Sequence, residues 1–257
     1  MTTLAHQPVP GRPPVWGPWA TLGFGVLIGA AFFILQLLTI LGFLAVSGDA
    51  TLADLADPER ADLVINNGFL LVIATLVTAP AIVGLTLLFA RARQGLPVRD
   101  YLGWISLPRT DWLRWLAWTL LFVALMDTVT WLSGRPLIPD FLRETYTTAG
   151  VLPLYWLAVA VAAPLSEELF FRGFLFRGLS GSRIGPWGAI VFTALVWALI
   201  HTQYELFYVV MIFIGGLFIG YARWRTGSVL LAFVIHATWN LVALTETALW
   251  IGGYLKG

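Results

Sequence analysis

Long apolar stretches with little or no charge recur along the whole chain, and they limit its fold more than any other feature. A helix needs about 20 mostly apolar residues to cross a bilayer, and lipid offers no partners to unpaired backbone groups. Charged residues make up only 11% of the 257 residues, against about 25% in soluble domains. We therefore predict an all-α, polytopic transmembrane helical bundle.

Seven stretches qualify as spans, and an eighth would arise if the long first span or the segment 48–67 contained another short helix. Residues 1–17, with their prolines and no periodicity, predict a flexible tail. The remainder, 18–257, predicts a single integral membrane domain with its catalytic core at about 150–245. The predicted spans are about 19–46, 68–91, 112–132, 152–176, 186–201, 206–224 and 228–250.

Arginine is concentrated between alternate spans, which predicts the orientation of the chain. Lysine and arginine accumulate in cytoplasmic loops. The links after the second, fourth and sixth spans carry arginines, whereas the link 48–67 carries five acidic residues and Arg60 alone. We expect a cytoplasmic amino terminus, an external carboxyl terminus and a plasma membrane of bacterial or archaeal type.

The inventory of reactive side chains is short. The chain has no cysteine, which excludes disulfides, thiol catalysis and cysteine-bound metal. The net charge of +1 comes with no basic face, so nucleic acid is excluded as a partner. Lysine occurs once, at Lys256, and histidine three times. The single lysine, at the carboxyl end, argues against a buried lysine base.

The fourth span carries two adjacent carboxylates, Glu167 and Glu168. Each charge near the bilayer centre costs roughly 2.5–3.5 kcal/mol on insertion scales. Arg172 follows Glu168 by four residues and shares its helix face, so the two can form an ion pair. Glu167 points about 100° away. We therefore predict that Glu168 is anchored and that Glu167 is free to react.

Three further polar residues reach the depth of Glu167 if the spans fold as antiparallel hairpins. The turn between the fourth and fifth spans must lie in 178–186, the breaker-rich stretch. This turn places Glu167 and His201 at matching depth. His236 and Asn240 lie four residues apart on one face of the seventh span, not far from the same level. The spacing predicts one polar layer formed by three spans.

This residue set suits hydrolysis of an amide bond by activated water. A carboxylate in a low-dielectric pocket can act as a general base, and His236 with the Asn240 amide can donate to an oxyanion. His201 would orient the water or share its proton. Two histidines and a glutamate also match some catalytic zinc sites, although HExxH is absent. A third interpretation is a non-catalytic scaffold or immunity protein that keeps the polar cluster for stability.

The sequence pieces that carry this chemistry resemble a known family. EELFFRG, WALIH and HATWN resemble the EExxxR, FxxxH and HxxxN or HxxxD motifs of the CPBP intramembrane proteases, which include type II CAAX prenyl endopeptidases. Trp197 stands where that pattern usually has phenylalanine. An aromatic ring is retained, so we expect altered packing more than lost chemistry. The resemblance is strong over about 150–245.

The resemblance implies a glutamate-dependent intramembrane endopeptidase with no cofactor. Glu167 would be the general base acting with His201. His236 and Asn240 would form the oxyanion hole, and Glu168 with Arg172 would hold the geometry. Substrates would be peptides or lipidated proteins in contact with membrane lipids, including prenylated carboxyl termini. A zinc-dependent variant of the same protease is the alternative that this resemblance leaves open.

Overall fold

The structure is a computed structural model that describes residues 15–47 and 57–254. The prediction of an all-α bundle is confirmed, and the described residues contain no strand. Of the predicted tail, 1–17, residues 1–14 lie outside the described residues. The helices are α1 Pro18–Ser47, α2 Pro58–Ile65, α3 Gly68–Ala92, α4 Val98–Leu102, α5 Arg109–Leu132, α6 Asp140–Thr148, α7 Leu152–Ser180, α8 Gly185–Leu199, α9 Leu206–Thr226 and α10 Val229–Ile251.

Six of the described helices are long and apolar enough to cross a membrane: α1, α3, α5, α7, α9 and α10. The fifth predicted span forms the shorter helix α8, which has 15 residues. At about 1.5 Å per residue this helix is shorter than a hydrocarbon core of about 30 Å. Segment 48–67 does contain a helix, α2, but its 8 residues are too few to span. The exact number of spans stays a prediction.

Helix α7 lies at the centre of the bundle. In its most apolar window 44% of the residues are buried, against 6% in α1. It packs against α3, α8 and α10, and α1 covers part of its outer side. The predicted turn after it is confirmed, because α7 ends at Ser180 and α8 begins at Gly185. The two carboxylates of the fourth span therefore lie in the most enclosed helix.

Helix α7 is not a regular α-helix throughout. Two segments, Ala158–Ala162 and Leu169–Leu175, have π-helical geometry, and the two glutamates lie between them. In a π-helical segment the backbone N–H bonds the carbonyl five residues back. Such segments are rare and occur frequently at functional sites. The local widening changes which backbone carbonyls around Glu167 and Glu168 remain available to side chains.

Candidate active site

A large cavity enters the bundle and reaches the middle of α7. Its volume is about 1210 Å³, and its wall includes Glu167, His201, His236 and Asn240. The four side chains that the sequence predicted at one depth therefore face one space. Glu168 and Arg172 do not line it, and both are fully buried. The two adjacent glutamates thus have different environments.

Glu167 contacts the indole of Trp197, a hydrogen bond that sequence reasoning missed. The Trp197 Nε1–H donates to Glu167 Oε2 over 2.5 Å. Trp197 is only 2% exposed, and its ring packs edge-on against the rings of His201 and His236, whose centroids lie 5.2 and 5.1 Å away. One residue thus touches the carboxylate and both histidines. Trp197 adds a hydrogen-bond donor to the packing that we expected.

Glu168 is held by two partners on its Oε1 atom. Arg172 Nη1 and His236 Nδ1 each lie 3.0 Å away. The ion pair with Arg172 has the four-residue spacing on which the sequence interpretation was based. The contact with His236 was not anticipated, and it ties α7 to α10. Glu168 Oε2 has no hydrogen-bond partner among the residues that the structure describes.

Arg172 extends this network to α9. Its Nη2 donates to the carbonyl of Gly216 over 3.2 Å, and its guanidinium carbon lies 4.7 Å from the Trp197 ring centroid. A Cβ atom at Gly216 would lie 2.9 Å from the Ala194 Cβ and 3.0 Å from Trp197 Cε3. Glycine therefore allows α9 to approach α8 closely enough for the contact. Arginine above an aromatic face gains cation–π attraction.

The position of Asn240 follows from Pro164. Within the first π-helical segment, the Ala163 N–H bonds the Ala158 carbonyl. The next N–H in this register would bond Val159, but proline has no N–H. The Val159 carbonyl instead accepts from Asn240 Nδ2 over 2.8 Å. This fixes the Asn240 amide and uses one of its two hydrogens.

His201 lies just beyond the end of α8, and its orientation is set by the backbone. Its Nδ1 lies 2.7 Å from the Trp197 carbonyl oxygen. A carbonyl only accepts, so Nδ1 must carry the proton and donate. In a neutral ring the Nε2 atom then carries the free lone pair. The structure describes both His201 and Glu167 and places no hydrogen bond directly between them.

The zinc alternative finds no support in the donor set. In the described part of the chain, no group of three or more His, Asp or Glu side chains could hold a metal ion. His236 Nδ1 is turned toward Glu168 Oε1, which Arg172 also binds. That contact leaves His236 Nε2 free, as in many zinc-bound histidines, so it does not itself exclude a metal. The expectation of no cofactor stays a prediction.

Two carboxylates of the cavity wall also escaped sequence reasoning. Asp127 on α5 and Glu246 on α10 both line the cavity. A buried indole N–H usually needs an acceptor, and that rule was the available signal for the Trp197 contact. No comparable rule identifies the Val159 carbonyl as the acceptor for Asn240 from the sequence.

Comparisons with known proteins address the same part of the chain. Residues 149–242 match the model of the family described as type II CAAX prenyl endopeptidase Rce1-like. We call residues 149–242 the Rce1-like segment. All four cavity-lining candidates and the Glu168–Arg172 pair fall inside the Rce1-like segment. The resemblance stated from the sequence is thereby confirmed over this range.

One relative and the solved structures complete the comparisons. The chain is 28% identical over 146 residues to a protein of Escherichia coli described as "Uncharacterized 24.3 kDa protein". That alignment covers 53% of this chain and 67% of the relative. No solved structure matches. The Rce1-like segment and the apolar helices together support an integral membrane protein of the CAAX-type intramembrane protease class.

Proposed function

We propose that the protein is an intramembrane endopeptidase that hydrolyses peptide bonds of membrane-associated substrates with a water molecule activated by Glu167. The observation that carries the proposal is the cavity in which Glu167 faces His201, His236 and Asn240. Each of these side chains has a second contact that fixes its orientation. Preorganised groups of this kind account for much of enzymatic rate enhancement.

Glu167 is the general base of the proposed reaction. Its Oε2 is engaged by Trp197, which leaves Oε1 for a water molecule. Glu167 takes a proton from that water as the water oxygen attacks the substrate carbonyl carbon. The protonated carboxyl group then returns the proton to the leaving amine as the C–N bond breaks. No covalent enzyme intermediate is formed.

His236 and Asn240 stabilise the oxyanion of the tetrahedral intermediate. The second amide hydrogen of Asn240 is available, since only one is used by Val159. His236 already donates through Nδ1 to Glu168, so donation through Nε2 requires the doubly protonated ring. Glu168 Oε1 lies 3.0 Å from the Nδ1 atom of that ring and accepts its hydrogen bond. Glu168 is thus a positioning residue that acts through His236.

His201 orients the attacking water. With its Nδ1 proton held by the Trp197 carbonyl, the Nε2 lone pair can accept a hydrogen bond from that water. The water would then be held between His201 and Glu167, which have no direct hydrogen bond to each other. Both residues would therefore be required for activity.

Cleavage that survives metal removal is the first test of the proposal. The purified protein in detergent would be stripped with a chelator and given a panel of fluorogenic peptides, including prenylated carboxyl-terminal peptides. We expect cleavage of at least one peptide at an unchanged rate after chelation. Loss of cleavage that added zinc restores would contradict the metal-free mechanism. Absence of cleavage across the panel would count against the protease itself.

Replacement of Trp197 by phenylalanine tests the role of the indole N–H. The ring packing against both histidines is kept, while the hydrogen bond to Glu167 is lost. Hydrogen bonds to charged groups contribute about 1.5–3 kcal/mol. Because the Glu167 carboxylate is then no longer held in one orientation, we expect kcat/KM to fall about tenfold or more. Steady-state kinetics with the best peptide would measure this.

The matched control is Trp118→Phe, because Trp118 is 53% exposed on α5 and does not line the cavity. It should leave kcat/KM unchanged. A direct readout is the indole N–H resonance that disappears in Trp197→Phe. It should move upfield in Glu167→Gln as the charged acceptor is lost. An unmoved resonance together with unchanged kinetics would show that the indole does not position Glu167.

A further inference from the structure

The loops and helix termini form two groups at opposite ends of the bundle, and hydrogen bonds join the members of each. At one end, Asn66 Nδ2 donates to Glu144 over 2.8 Å and Arg135 contacts Glu205 over 2.6 Å. The first contact joins the link between α1 and α3 to the link between α5 and α7. The second joins the link between α5 and α7 to the link between α8 and α9. We call this the mouth end, formed by residues 57–67, 133–151 and 200–205.

The other end is joined in the same way. Arg223 Nη2 donates to the Leu102 carbonyl over 3.2 Å, and Ser228 Oγ donates to the Ile105 carbonyl over 2.6 Å. These contacts connect the link after α3 with the link after α9. The turn 181–184 belongs here as well, because α7 runs to it from the mouth end. We call this the closed end, formed by residues 93–108, 181–184 and 227–228.

The cavity wall reaches the surface at the mouth end. The wall includes residues of all three mouth-end links, among them Asp62, Leu137 and Gln203. Of the residues described, none within 83–122, 176–191 or 213–235 lines it. These three ranges contain the closed-end links and the turns of α3, α5, α7, α8, α9 and α10 next to them. On α1, which begins at that end, Leu22 and Gly25 do line the cavity. A peptide can therefore reach Glu167 from the mouth end or from the lipid beside it.

Arginine is distributed very unequally between the two ends. In the described part of the chain the mouth end carries Arg60, Arg135 and Arg143. The closed end and its flanking helix turns carry Arg91, Arg93, Arg99, Arg109, Arg114, Arg177, Arg183, Arg223 and Arg225. Because short loops rich in lysine and arginine stay in the cytoplasm, the closed end is assigned to the cytoplasmic side.

We infer that the cavity opens on the extracytoplasmic side of the membrane, and that the substrate is a peptide segment presented there. The substrate class rests on the proposed function, whereas the direction of the opening does not. A lipidated carboxyl terminus attached to the cytoplasmic leaflet would meet the closed end. External loops, exported peptides and the external ends of other membrane proteins would instead meet the mouth.

Because the chain contains no cysteine, single introduced cysteines allow a direct test. Single cysteines would replace Thr202 at the mouth, Ala163 inside the cavity one turn before Glu167, and Gly181 at the closed end. A Cβ at Gly181 meets nothing within 4 Å, so the substitution is tolerated. Leu121→Cys is the control, being 59% exposed at mid-helix outside the cavity wall. A thiol in lipid does not ionise and does not react.

Intact spheroplasts would be treated with a charged, membrane-impermeant thiol reagent. We expect Thr202→Cys and Ala163→Cys to be modified as fully as after detergent lysis. Gly181→Cys should react only after lysis, and Leu121→Cys in neither case. Modification of Gly181→Cys in intact spheroplasts, with Thr202→Cys protected until lysis, would overturn the inference.

The substrate class has its own test. The peptide that is cleaved best in detergent would be offered to right-side-out spheroplasts and to inverted membrane vesicles. We expect cleavage by the spheroplasts and none by the vesicles. The opposite result would overturn the assigned substrate side. Failure of all cleavage in detergent would count against the proposed function and its substrate class, while the thiol labelling would still decide the direction of the opening.

Discussion

Glu167→Gln is expected to abolish peptide cleavage while leaving the fold intact. An amide cannot take the proton from water, and general acid–base catalysis contributes about 10²- to 10⁴-fold to the rate. The glutamine side chain has nearly the same shape and still offers an oxygen to the Trp197 indole, so the observed contact can persist. We expect kcat/KM to fall by at least about 10², with the melting temperature of the detergent-solubilised protein little changed.

Glu205→Gln is the matched control for this variant. Glu205 is another carboxylate of the cavity wall, but it lies at the mouth, exposed and paired with Arg135. Its loss should change kcat/KM only slightly. Glu167→Gln that cleaves at the wild-type rate would show that another group is the base. Glu167→Gln that mainly lowers the melting temperature, in a protein with no detectable cleavage, would favour a non-catalytic scaffold.

The sequence predicted those parts of the site that depend on helix geometry alone. The four-residue spacing of Glu168 and Arg172 leads to an ion pair in any α-helix, and local π-helical widening does not remove it. Helical rise and one turn position were enough to bring His201 near the depth of Glu167. Hydropathy identified α3, α5 and α10 because lipid demands length and apolarity from each helix separately.

The remaining features depend on contacts between helices, and no single-helix rule contains them. The Trp197 hydrogen bond requires the relative rotation of α7 and α8, which is set by side-chain packing. The Val159 contact requires the π-helical register upstream of Pro164, and the mouth-end helix α6 was not anticipated at all. The fifth span was overestimated because its apolar run continues past Leu199, where the chain leaves the helix to form the mouth.

Arg172→Met is expected to destabilise the protein strongly. Arg172 and Glu168 are both 0% exposed, and His236 shares the same carboxylate oxygen. Removing one partner of a buried ion pair leaves an uncompensated charge and costs about 3–5 kcal/mol. Methionine keeps apolar contact with the Trp197 ring but cannot reach the Gly216 carbonyl or neutralise Glu168. Equilibrium unfolding in mixed micelles would give the change in free energy of unfolding.

The double variant Glu168→Gln with Arg172→Met separates the charge from the loss of packing. Since both charges are then absent, the double variant should cost less than the sum of the two single variants, by about 0.5–3 kcal/mol. Asp111→Asn is the matched control, because the Asp111–Arg114 ion pair is partly exposed and its charged atoms lie 3.6 Å apart. This control should change the free energy of unfolding by less than about 1 kcal/mol. Additive single effects would instead mean that Arg172 stabilises α9 through Gly216 independently of Glu168. Strong non-additivity of the two free-energy changes would show that Glu168 and Arg172 stabilise the protein as a pair. That pair would then hold His236 in its orientation toward the cavity.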